Sequence, residues 1–172
     1  MNIVKKKHPQ DININWYGPF TVDEVKKRFN NEGFDCGVYQ IYGSHPIYGS
    51  NVLLYVGKTQ EQTFGKRITQ HESNWLKNNP DSNNIEVYIG RLAAADYGSF
   101  IVTLYLIDIA ERLIILSCTP ARNGMSVTGF KREDISHIHL FNWGNYRSIL
   151  PEISGRRWVT KFTAPDFDGT SY

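Results

Sequence analysis

Gly57-Lys58-Thr59 is the triplet that ends a phosphate-binding loop, so nucleotide hydrolysis is the first chemistry this sequence brings up. Such a loop needs another glycine five residues before Gly57, because bare backbone amides there form the nest that cradles the phosphates. That position is Val52, and "GSNVLLYVG" reads as a turn followed by an extended apolar strand. The nucleotide-loop reading is thereby removed. A second candidate is Glu111. With Asp108 and Arg112 it interrupts "SFIVTLYLIDIAERLIILSC", Ser99 to Cys118, whose central charges argue for a buried helix of a soluble core rather than a membrane span. A carboxylate in such a helix needs a partner for its charge. A third candidate is the pair Arg67 and His71, four residues apart and so on one face of a shared helix.

These residues depend on the elements around them. "TVDEVKKRF" sets Thr21 and Glu24 in capping-box spacing and predicts a helix over about 21–30, stopped by "NNEG". "GVYQIYG", Gly37 to Gly43, and "NVLLYVG", Asn51 to Gly57, are β-branched and aromatic runs of strand type, joined by a Pro- and Gly-bearing hairpin loop. "TFGKRITQHESNWL" puts Phe64, Ile68, Trp75 and Leu76 on a helical stripe, and "IEVYIGRL" alternates like a third strand. The apolar helix follows and ends before "TPARNG", where Pro120 cannot continue it and Asn123-Gly124 turns. The expected plan is a single α+β domain over 1–172, with a core at about 35–125. No element is read for residues 10–20, and residues beyond about 130 form an unassigned C-terminal extension.

Bulk properties constrain function less. A net charge of +2 and a pI near 8.5 lean basic without the excess that would point to nucleic acid unaided. Cys36 and Cys118 have neither zinc-site nor disulfide-framework spacing. The N-terminal "MNIVKKKHPQ" has no apolar run behind it, so no secretory signal is read and the cytoplasm is the expected location.

Gly37-Val38-Tyr39 and Tyr55-Val56-Gly57 on neighbouring strands, then Arg67 and His71, then Glu111, then Pro120 with Asn123, resemble in order the motif blocks of the GIY-YIG nuclease family. Valine replaces isoleucine in both triplets. The connection between them, residues 40 to 54, is longer than the family's usual linker, and no appended DNA-binding module is recognised. The resemblance covers Gly37 to about Gly124. It implies a small three-stranded antiparallel sheet flanked by helices and a DNA endonuclease that hydrolyses phosphodiester bonds with Mg²⁺ or Mn²⁺.

Phosphodiester hydrolysis needs an aligned and deprotonated water, neutralised phosphate charge and a metal. Glu111 is the expected metal ligand, since Mg²⁺ commonly takes only one or two protein carboxylates. The fork of Arg67 suits the phosphate in the transition state. Tyr39 and Tyr55 would flank the water; a phenol with a pKa of about 10 needs a cation or a relay to act as base, and His71 is the relay candidate. Asn123 reads as a hydrogen-bonding brace. Lys58, Arg147, Arg156, Arg157 and Lys161 are candidate DNA contacts, the last four interleaved with Trp143, Tyr146 and Trp158. His71 at the relay position leans the reading towards a restriction or defence nuclease, with a C2 dimer where both strands are cut. The alternatives are a repair or mobile-element nuclease of the same chemistry and a non-catalytic nucleic-acid-binding module.

Overall fold

Ile12, Ile14 and Trp16 point inward from a chain whose alternate residues face out, and this period-two pattern makes Gln10–Phe20 the strand β1. It is the first element of a computed structural model that describes residues 10–79, 84–93, 100–124 and 135–158. After it come α1 (Val22–Arg28), β2 (Gly37–His45), β3 (Gly49–Thr59), α2 (Phe64–Asn74), β4 (Glu86–Leu92), α3 (Phe100–Cys118), β5 (Ile138–Gly144) and β6 (Glu152–Ser154). The class is α+β. The strands form one mixed sheet in the order β3-β2-β4-β1-β5-β6, antiparallel except for the β1–β5 pair.

The expected three-stranded sheet is corrected to six strands. The three expected strands are adjacent and antiparallel as β3-β2-β4, but β1 continues the sheet beyond β4. The segment read as an extension then supplies β5 and β6. A buried bond from the Trp16 indole N–H to Asn142 Oδ1, 2.8 Å, ties β1 to β5. The Lys161 position, the C-terminal "APDFDGTSY" and the basic N-terminal run lie outside the described residues.

The sheet separates two apolar layers. On one face α1 and α2 bury Val25, Phe29, Phe64 and Ile68 against Tyr39, Ile41 and Ile89. At seven residues α1 is too short to persist alone, so its capping box and the burial of Val25 hold it. On the other face α3 packs on Ile12, Ile14, Trp16, Val38 and Val56. Leu106, Ile107, Ile109, Ala110, Leu113, Ile114 and Ile115 are all buried, which accounts for the apolar run, and a stripe with Tyr105, Asp108, Glu111 and Arg112 reaches the surface. Among the described residues no helix is long and apolar enough to cross a membrane. Cys36 and Cys118 are free thiols.

β3 lies at the edge of the sheet, where unpaired backbone groups invite pairing with another chain. The turn after α3 covers it. Ala121 N–H donates to Leu53 O at 3.1 Å and Arg122 N–H to Leu54 O at 2.9 Å.

Candidate functional site

The glycines of the two triplets have steric causes. Gly37 sits at φ +148°, and a Cβ there would lie 2.2 Å from the Gly90 carbonyl oxygen. A Cβ on Gly57 would lie 2.3 Å from the Tyr39 hydroxyl oxygen, so Gly57 is the gap into which the Tyr39 phenol fits. Thr59, the last residue of the phosphate-loop lookalike, lies on β3 and accepts a hydrogen bond from Gly37 N–H at 3.0 Å. The segment is extended where a phosphate loop would curl.

Regular register aims the second tyrosine. Tyr39 pairs with Gly57 and Ile41 with Tyr55, so alternation sets Tyr55 beside Tyr39 on the α2 face, with the rings stacked at 6.2 Å and 29°. Tyr42 then pairs with Leu53, so Leu54 is an extra residue whose bulge keeps it on the α2 face as well. The long linker between the triplets is mostly hairpin, since β2 runs to His45 and β3 starts at Gly49, leaving Ile47 and Tyr48 exposed at its tip.

Thr63 caps α2, accepting from Lys66 N–H at 3.3 Å, and the helix turns Phe64, Ile68 and His71 inward. His71 Nε2 lies 2.6 Å from the Tyr39 hydroxyl oxygen. Arg67 Nε donates to that same oxygen at 3.3 Å and Nη1 to Gln70 Oε1 at 2.9 Å. The Trp75 indole N–H donates to His71 Nδ1 at 2.9 Å. Tyr39 has no exposed surface, whereas Tyr55 is half-buried. Burial, then the Tyr55 phenol, pushes the Tyr39 pKa well above its ordinary value, and the Arg67 guanidinium opposes that. Burial, then the Arg67 charge, pushes the His71 pKa down to about 4, so this imidazole is neutral at pH 7.

From the opposite layer come Lys58 and the polar stripe of α3. Lys58 Nζ pairs with Asp108 and lies 2.8 Å from Glu111 Oε2, while Arg112 Nε reaches Asp108 Oδ2 at 3.0 Å. Burial raises the Glu111 pKa and outweighs the opposing hydrogen bond from Lys58, which divides its charge between two carboxylates. The layers meet at the C-terminal end of β3. An open cleft of about 590 Å³ is lined there by Lys58, Gln60, Glu61, Gln62, Arg67 and Glu111. The Glu111 charge is also one of the influences on the Tyr39 phenol.

Glu111 fits a Mg²⁺ ligand. Its hard carboxylate is costly to bury, borders a cleft with room for waters and phosphate, and shares its lysine partner with Asp108. Among the described residues no three His, Cys, Asp or Glu side chains gather into a metal cage, so the arrangement to hand is the one-carboxylate kind. Asn123 is placed as a brace. Its Oδ1 accepts from Val56 N–H at 2.9 Å and its Nδ2 donates to Val56 O at 2.8 Å, pinning the centre of the second triplet along the open edge of β3.

The structure thus brings together Tyr39, Tyr55, Arg67, His71, Glu111 and Lys58, with Asn123 behind them. Among the described residues the other candidate cations lie elsewhere. The Arg147 guanidinium is bonded to Glu86 and Asn51 and stacks 4.0 Å over Tyr42 on the α3 face, so its contacts are internal. Arg156 and Arg157 are exposed in the one-turn helix Gly155–Trp158 after β6. Two contributors escaped the sequence reading: Trp75 and Asp108 as second partner of Lys58. The four-residue spacing of His71 and Trp75 was a usable signal. Comparison of the chain with protein-family models, curated proteins and solved structures found no match.

Proposed function

We propose that the chain is a divalent-metal-dependent DNA endonuclease with a GIY-YIG core, in which β3-β2-β4 is the central sheet and α2 and α3 carry the site. The observation that supports this best is the convergence of Arg67, which contacts Tyr39 together with His71, on a cleft it shares with Glu111 from the opposite layer. Glu111 would hold Mg²⁺ or Mn²⁺, which supplies charge to the phosphate and the departing oxygen when bound. Arg67 turns its fork to the scissile phosphate. Its Nη1 leaves Gln70 for that phosphate while its Nε–H stays on the Tyr39 oxygen.

Tyr39, as phenolate, takes a proton from the attacking water while the Tyr55 ring borders it; the water O–H breaks, the Tyr39 O–H forms, and the new oxygen–phosphorus bond expels the leaving oxygen. His71 touches the base oxygen and so governs its proton. Lys58, released from Glu111 but still on Asp108, faces the phosphate. Arg156 and Arg157, exposed after β6, are the candidate contacts to the DNA backbone outside the cleft. One such site cuts one strand, so double-strand cleavage calls for a C2 pair. A restriction or defence role is the specific reading; repair or mobile-element cleavage would use the same site, and a non-catalytic nucleic-acid-binding module is the reading from another class.

The test incubates purified protein with supercoiled plasmid and phage genomic DNA in Mg²⁺ and in EDTA, beside Glu111→Ala. Discrete genomic fragments that need both the metal and Glu111 are expected. Nicking or a smear with the same dependence would keep the chemistry and remove the restriction role. Intact DNA with folded protein would remove the enzyme and leave the binding module.

A further inference from the structure

We propose that Trp75 is a positioning residue that fixes His71 as a hydrogen-bond donor to Tyr39, so that His71 holds the base oxygen rather than relaying its proton. The argument begins with the indole, which can only donate. Its N–H points at His71 Nδ1 at 2.9 Å, so that nitrogen presents a lone pair. A neutral imidazole carries one N–H, and with Nδ1 accepting, the hydrogen resides on Nε2. Nε2 is 2.6 Å from the Tyr39 oxygen. The bond therefore runs from His71 to Tyr39, and His71 offers Tyr39 no lone pair to receive a proton.

The same oxygen receives the Arg67 Nε–H. Two N–H donors converge on it, hydrogen bonds that stabilise a phenolate against the burial that raises its pKa. Tyr39's own hydrogen is left to point away from both. When the phenolate takes a proton from water, the hydrogens of His71 and Arg67 stay on their nitrogens, and the proton gained by Tyr39 returns to bulk water between turnovers.

Trp75 is placed for this work. As the residue that ends α2, it also bonds its backbone N–H to His71 O at 2.9 Å, so backbone and side chain both reference His71. Its ring packs 6.1 Å from Tyr55 and 5.8 Å from His71, and the Arg122 guanidinium covers it at 4.8 Å. Packing on three sides leaves the indole little freedom to turn its N–H away.

The test is long-range ¹H–¹⁵N correlation of the imidazoles in the full chain, with His71 assigned by its loss in His71→Gln. The expected wild-type spectrum shows His71 protonated at Nε2 and bare at Nδ1, and Trp75→Phe, which keeps a ring but no donor, converts it to a mixture of tautomers. A wild-type ring protonated at Nδ1, or a tautomer unchanged in Trp75→Phe, overturns the proposal. This readout needs no turnover, so it stands apart from the endonuclease reading. The kinetic arm rests on that reading. Glutamine can place an amide N–H near Nε2 but cannot relay a proton, so His71→Gln is expected to keep kcat within about tenfold of wild type while His71→Ala loses about a hundredfold. Trp75→Phe is expected to lower kcat about tenfold with KM unchanged. Equal losses in His71→Gln and His71→Ala would overturn the donor role.

Discussion

Around Tyr39 the polar atoms are met by buried neighbours from one face of the sheet, whereas around Glu111 the partners are ions that border a cleft on the other. The Tyr39, His71 and Trp75 side chains make directed bonds of 2.6 and 2.9 Å, and the phenol fills the gap that Gly57 leaves. Lys58 holds two carboxylates at once, and one of them carries a raised pKa because burial exceeds what half a lysine offsets. The first half is locked by geometry and the second is open to exchange of its cation. A site that must align a water in one place and admit a metal and a phosphate in another is served by that division.

Mutations should separate the halves. Glu111→Gln is expected to reduce metal-dependent cleavage by about a thousandfold or more, several kcal/mol of transition-state stabilisation. Its urea midpoint should stay level or rise, because the folded chain already disfavours the charge. A large fall in the midpoint would show Glu111 to be structural. Gly57→Ala acts on the locked half, where the added methyl meets the Tyr39 phenol. The expected loss is about 1–3 kcal/mol of stability together with most of the activity, read from denaturation and cleavage of one preparation.

The halves should also differ in acid. His71 has its folded pKa pushed down to about 4 while an unfolded imidazole titrates near 6.5, so between those values the unfolded chain binds the extra proton. Its contribution is complete above about pH 6.5 and is lost as pH falls towards 4, on the order of 3 kcal/mol at about 1.4 per unit. Stability against pH for wild type and His71→Gln checks this: the two curves should differ across that window and run parallel above it. Parallel curves throughout would place the imidazole in a more solvated setting.

The locked half was the more legible in the sequence, though not for its mechanism. The two triplets, the Arg67–His71 spacing and the cap at Thr21 are local signals, read from residues a few positions apart. The bulge that turns Leu54 to the α2 face depends on how β3 registers against β2, which no local pattern carries. Nor did the residue types disclose the direction of the His71 bond, which follows from an indole one turn further on. β1 was legible and missed, since Ile12, Ile14 and Trp16 alternate cleanly; its parallel partner β5 is more than a hundred residues away and is joined by tertiary bonds such as Trp16 to Asn142. The ion cluster was half legible. A carboxylate within an apolar helix announced that Glu111 needs a partner, but Lys58 as that partner, and Asp108 as its second claim, required the fold.

The smallest expected effects lie outside both halves. Arg157→Ala should lower the slope of log affinity for DNA against log salt by about one, with a loss under about tenfold at 0.1 M salt. Arg147→Ala should leave that slope unchanged and cost about 1 kcal/mol of stability, because its guanidinium pairs with Glu86 and stacks on Tyr42. Fluorescence titrations at several salt concentrations distinguish them, and an altered slope in Arg147→Ala would move that residue to the DNA surface.

The central claim is that the two halves form one metal-dependent site, and titrating the chain with Mn²⁺ while following NMR line widths tests it most directly. The account predicts paramagnetic broadening centred on Glu111 that spreads across the sheet edge to Arg67, Tyr55 and Tyr39, and its disappearance in Glu111→Gln. Broadening that survives in Glu111→Gln, or that leaves Arg67 and the two tyrosines sharp, would contradict it.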